Sequence, residues 1–135
     1  MSDLAAFIQE WNDNSGSKEL FTAIKNLAGE LGLSSEYVGR PGVSHSLRLG
    51  WPGAERPFFA MADVIDDAPE ARWLSICMYA DVAVDPEERG DLVPKGLNNQ
   101  DALCFDMDEP EDDDKKYVLE MLRQAAKKAK ALFNA

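Results

Sequence analysis

The chain has 135 residues, 45% of them hydrophobic, and sets 25 acidic groups against 14 basic ones for a net charge of -11. That length and apolar content suit one α+β-sized domain over residues 1–135 with one core. No stretch nears the ~20 apolar residues of a membrane span, MSDLAAFIQEWNDN lacks the basic start and apolar run of a secretory signal, and the charge repels phosphate backbones, so a cytoplasmic protein without membrane or nucleic-acid partners is expected.

Leu4, Phe7, Ile8 and Trp11 recur at helical spacing, and Ser2 stands where an N-cap belongs. NDNSGS breaks that helix. Ser17 then reads as the cap of a second, whose stripe is Leu20, Phe21, Ile24, Leu27, Ala28 and Leu31, with Gly32 as its stop. LSSEYV fits either state, and GRPG reads as a turn.

The period then changes to two. His45, Leu47, Leu49 and Trp51 alternate with Ser44, Ser46, Arg48 and Gly50, as in a half-buried strand. WPGAER supplies a turn, RPFFAMADVI a strand apolar on both sides, and DDAPEA its end. RWLSICMYADVAV follows, placing Leu74, Ile76 and Met78 on one face and Trp73, Ser75, Cys77 and Tyr79 on the other. DPEERG resembles one helical turn, VPKGLNNQ a loop, and DALCFDM a fourth short strand. From Asp112 onward, Val118, Met121, Leu122, Ala125, Ala129 and Leu132 trace one face of a long terminal helix.

The expected fold is therefore two-layer α+β: N-terminal helices, an antiparallel sheet of about four strands, and a long C-terminal helix. Helices on one side leave the other sheet face open to solvent. Trp73, Tyr79 and Phe58 are candidates to line it as an interaction surface, with His45 beside them.

Chemistry-bearing motifs are scarce. Cys77 and Cys104 lack CxxC spacing and lie within apolar runs, which reads as buried free thiols in a reducing compartment. His45, the one histidine, shows no partner that would make it a general base. No GxSxG elbow, phosphate-binding GxxxxGK[ST] or GxGxxG fingerprint occurs, so the chain reads as non-enzymatic and without a cofactor. Residues 63–114 hold seventeen acidic groups against Arg72, Arg89 and Lys95. The densest run joins Asp106, Asp108, Glu109, Glu111, Asp112, Asp113 and Asp114. It fails as an EF-hand, because Pro110, Glu111 and Tyr117 occupy the fifth, sixth and twelfth positions. Carboxylates opening a helix whose far end carries Lys127, Lys128 and Lys130 suit its dipole, which is a structural role. A weak iron or calcium site at the same residues is the metal alternative, and DNA mimicry by the acidic surface a further one.

LCFDM followed by YVLEMLRQAAKK, within residues 103–128, resembles the tail of small uncharacterised bacterial domains. The order of elements is similar to that of the YdhG and YjbR groups. The YdhG resemblance implies loose iron binding of a frataxin-like kind through helix and strand carboxylates. The YjbR resemblance implies DNA binding, against which the charge argues. The function expected from the residues is a protein-interaction or regulatory domain that takes a basic partner or a second copy of itself.

Overall fold

The computed structural model describes residues 2–134, with side chains to residue 132. Two helices, α1 (Asp3–Glu10) and α2 (Ser17–Leu31), precede the strands β1 (Ser34–Arg40), β2 (Ser44–Gly50), β3 (Ala60–Ile65) and β4 (Trp73–Tyr79). A short 3-10 turn, Pro69–Ala71, separates β3 from β4. The strands β5 (Asp91–Leu97) and β6 (Gln100–Met107) follow, and α3 (Asp112–Asn134) ends the chain. All six strands form one antiparallel sheet in the order β1-β2-β3-β4-β6-β5.

Local chemistry explains most of the boundaries. Ser2 Oγ accepts the Ala5 amide at the start of α1. Ser17 does not cap α2. The carboxylate of Asp13 accepts the amides of Ser15, Gly16 and Lys18 instead, while Ser17 Oγ donates to the carbonyls of Met107 and Asp108 and ties α2 to the end of β6. Gly32, at φ +76°, ends α2 in the left-handed conformation that glycine adopts without strain.

The sheet has six strands rather than about four, and both additional strands are edges. β1, SSEYVGR, covers the segment that fits either state, and β5, DLVPKGL, occupies what reads as loop. Six of the seven β5 residues are exposed, so no apolar alternation marks it. Pro94 is tolerated because an edge strand leaves one row of amides unpaired. Asn98 and Asn99, both at positive φ, close the β5–β6 hairpin through Leu97↔Gln100. Asparagine tolerates that conformation well enough to serve a two-residue turn.

The core lies between the helices and one sheet face. Leu47, Leu49, Ala60, Ala62, Val64, Leu74, Ile76, Met78 and Phe105 meet Phe7, Trp11, Phe21, Ile24, Val118, Met121, Leu122 and Ala125. Full burial of such a side chain is worth ~1.5–3 kcal/mol, so this interface dominates the folding energy.

The free-thiol expectation is overturned. Cys77 and Cys104 are directly opposite each other on β4 and β6, 4.1 Å apart at Cα, and are joined by a disulfide. Their separation of 27 residues hides the pairing in the sequence, because the connection and β5 intervene before β6 returns beside β4.

Candidate functional site

Strand alternation divides the sheet into two chemically different faces. On the helix-facing side the buried polar residues His45 and Asp66 form one cluster. The His45 ring is 5% exposed and stacks on Phe7 of α1 with 3.8 Å between centroids. Its Nε2 lies 2.8 Å from Asp66 Oδ2, and its Nδ1 lies 2.7 Å from the Tyr37 hydroxyl. Because an ionised carboxylate only accepts, Nε2 carries a proton toward Asp66, and Nδ1 shares the second hydrogen bond with the Tyr37 hydroxyl.

Asp66 is only 2% exposed, and burial alone would raise its pKa. Hydrogen bonds from Arg72 Nε at 2.6 Å, His45 and the Gly42 amide outweigh that and lower it to about 2. Arg72 also reaches Glu10 of α1 at 2.9 Å and lies over the Phe7 ring. Tyr37 is shifted upward by burial and by the charges of Asp3 and Glu10, so it is held as a phenol rather than activated as a phenolate. Tyr37, His45, Asp66, Arg72 and Glu10 thus form one connected set, and its effect is to lock α1, β1, β2 and the β3–β4 connection together.

Among the described residues no helix covers the opposite face. Register places Glu36, Arg48, Met61, Cys77, Cys104 and Asp91 in one row across all six strands. A neighbouring row holds Val38, Ser46, Asp63, Ser75 and Asp106, and a third holds Arg40, Ser44, Ile65 and Trp73. Ser46 donates to Asp63 at 2.8 Å and Ser75 to Asp106 at 3.1 Å, so the middle row is a ladder of serine–aspartate pairs. Met61, Ile65, Trp73 and Cys77 are half-buried among these polar neighbours. The surface is an apolar stripe crossed by charge.

The expected exposed aromatic cluster is only partly realised there. Trp73 stands on this face, but Tyr79 is 1% exposed and Phe58 9%. The two rings stack 6.0 Å apart, and Arg56 from the β2–β3 loop lies over Tyr79 at 4.3 Å. That loop folds over the lower end of the face and covers them. His45 is not on this face at all, because its side chain points into the core.

The acidic run is also dispersed. Asp106 ends β6 on the open face, and Pro110 is buried at the junction. Asp114 Oδ2 accepts the Glu111 amide, and Asp112, Asp113 and Asp114 form the first turn of α3, beside its positive dipole end. Arg89 pairs with Asp113 at 2.7 Å and Asp114 at 3.4 Å, and Lys115 lies 3.6 Å from Asp112. Beside them, Asp85 accepts from the Tyr117 hydroxyl and from the Arg89 and Gly90 amides, and these bonds lower its pKa against the opposing effect of burial. Among the described residues no group of three or more His, Cys, Asp or Glu side chains is placed to hold a metal ion. No described helix is long and apolar enough to cross a membrane.

Topology gathers the charge at one end. Ser44, Ile65, Trp73 and Met107 mark the same end of β2, β3, β4 and β6. The β3–β4 connection with Asp67 and Glu70, and the junction with Asp108, Glu109, Glu111 and α3's first turn, therefore share it. α3 runs back toward the other end, where Trp51 Nε1 donates to the Ala126 carbonyl and Lys130 lies over the Trp51 ring. A cavity of about 300 Å³ there is walled by Trp51, Phe58, Phe59, Val82, Ala129 and Leu132. On its rim Arg56 donates twice to Asp81, at 2.7 and 2.8 Å.

Both sheet edges are exposed, and β5 is the one poorly suited to pairing with another strand. β5 shows Leu92 and Val93, but Pro94 and a register shift between Val93 and Leu97 interrupt its ladder. β1 presents Ser34, Glu36 and Arg40 to solvent.

Comparisons with protein families, with curated proteins and with solved structures find no match.

Proposed function

We propose that this chain is a non-enzymatic interaction domain that takes a basic protein partner on the uncovered face of its sheet. The observation that carries this reading is the face itself: Met61, Ile65, Trp73 and Val38 set among Asp63, Asp106, Asp91 and Glu36, which outnumber Arg40 and Arg48 there, with no described helix over them. Interfaces combine half-exposed apolar anchors with charged neighbours that orient the partner, and this face has both. The acidic end beside it lengthens the reach of the field and speeds encounter with a positive surface. The closed state of the His45–Asp66–Arg72 network supports a structural rather than a catalytic role for the one histidine.

The test is capture from native lysate by the wild-type chain and by the variant Asp63→Lys/Asp106→Lys, at low and at high salt. The expected result is a basic partner held by the wild type, released by salt and lost by the variant. Equal capture by both, or a chain that stays alone under both conditions, contradicts the proposal.

A further inference from the structure

The disulfide occupies an unusual place for a structural staple. Cys77 and Cys104 face each other within a ladder that already joins β4 to β6, since Ile76↔Phe105 and Met78↔Leu103 flank them and the Ala80 amide donates to the Asp101 carbonyl at 2.9 Å. Strand pairing and the helix-side core therefore hold these strands together whether or not the sulfurs are bonded. Register puts both cysteines on the uncovered face of the sheet, where they pack against the edge of the buried cluster. Cys77 is half-buried, and Cys104 is the more enclosed at 8% exposure. Ser75 Oγ, which donates to Asp106, lies 3.8 Å from Cys77 Sγ, so a Cys77 thiol can in turn donate to that oxygen.

We propose that Cys77–Cys104 is a thiol–disulfide exchange site on the open sheet face, taking a neutral or cationic dithiol as its reductant. A thiolate of the dithiol attacks Cys77 Sγ, the more accessible sulfur. A mixed disulfide forms, the Cys77–Cys104 bond breaks, and its electron pair leaves on Cys104, which takes a proton from water. The second thiolate of the dithiol then attacks its own sulfur in the mixed disulfide, releasing Cys77 as a thiolate that is protonated in turn. The protein gains two electrons and two protons, and the dithiol becomes a disulfide.

The surrounding charge selects among reductants. Asp91 is the cross-strand neighbour of Cys104, and Asp106 and Asp63 flank Ser75 in the adjacent row. Arg48 is the nearest cation in the Cys77 row, with Met61 between them. An anionic thiol such as glutathione meets this field unfavourably, and a neutral dithiol does not. The exchange needs only the open face, so it stands or falls independently of whether a protein partner binds there.

The experiment is alkylation of the native chain, counted by intact mass, before and after treatment with dithiothreitol or glutathione at matched thiolate concentration. The expected outcome is no alkylation before treatment and two alkyl groups after dithiothreitol, with an unchanged far-UV spectrum and a cooperative melt. Dithiothreitol should act at least about tenfold faster than glutathione at low salt; ring closure favours the dithiol at any salt, so the part of the gap that salt narrows reports the charge. With Cys104→Ser, the remaining Cys77 should be alkylated faster than Cys104 is in Cys77→Ser. The Cys77→Ser/Cys104→Ser chain should keep the native spectrum. Two reactive thiols before any reductant, reduction that requires denaturant, loss of fold on reduction or in the double-serine chain, glutathione acting as fast as dithiothreitol, or the reverse order of cysteine reactivity would each overturn the assignment.

Discussion

The helix-facing side of the sheet buries Leu47, Leu49, Ile76, Met78 and Phe105, and its buried His45–Asp66 pair draws partners from α1, β1 and the β3–β4 connection. The other side spends its alternating positions on Arg48, Asp63, Ser75 and Asp106, whose contacts are side-chain pairs beside water. The contrast teaches where change is tolerated. A group enclosed by many partners fixes the fold, whereas a face with few partners is free to be shaped by what it binds.

The sharpest way to break this comparison is to remove one member of the buried network. Arg72→Met leaves Asp66 charged and enclosed without its strongest donor, and urea denaturation should show a loss of about 3–5 kcal/mol. A loss under about 1 kcal/mol would mean that the network is wetter than its geometry implies.

Acid titration sharpens the same point at smaller amplitude. The Asp66 carboxyl is lowered to about 2 in the fold, so it contributes stability above the unfolded value near ~3.9 and loses it as the pH falls toward 2. The amount is about 2 kcal/mol, and Asp85, Asp13 and Asp81, also lowered, add to the same window. Melting curves between pH 2 and pH 5 should therefore show a steep acid limb, and Asp66→Asn should flatten it even though that variant is less stable at neutral pH. An unchanged acid limb in Asp66→Asn would count against the network as its source.

On the open face, Ser75→Ala removes the donor to Asp106 and should change stability by less than ~0.5 kcal/mol, because the carboxylate freed there turns to water. A loss comparable to that of Arg72→Met would erase the distinction between the faces.

Much of the architecture was legible because core burial imposes periodicity. The alternation in SHSLRLG and WLSICMY, the stripe of α2 and that of α3 each report contact with one apolar layer. The edges were illegible for the converse reason: β1 and β5 bury too little to leave a pattern, and the turn that defines the β5–β6 hairpin is Asn98-Asn99 rather than a glycine pair. Asp66 stands in DDAPEA, which reads as the end of a strand, and Arg72 opens the run that reads as the next one; their meeting with His45 depends on the register of β2 against β3. The only advance signal for that network was His45 on the apolar phase of its strand, which demanded a partner without naming it. The cysteine pair was hidden in the same way, since β6 becomes the neighbour of β4 only because β5 takes the outer position. The separation of Asp106 from Asp112–Asp114 by Pro110, by contrast, was readable, and the acidic run resolves into a strand end and a helix start.

The most direct test of the account compares stability and binding in one variant, Asp63→Lys/Asp106→Lys, by urea denaturation and salt-dependent capture. The expected result is a midpoint close to the wild-type value together with loss of the basic partner. A variant that unfolds readily, or one that keeps the partner at full strength, would contradict the claim that the uncovered face is built for binding rather than for folding.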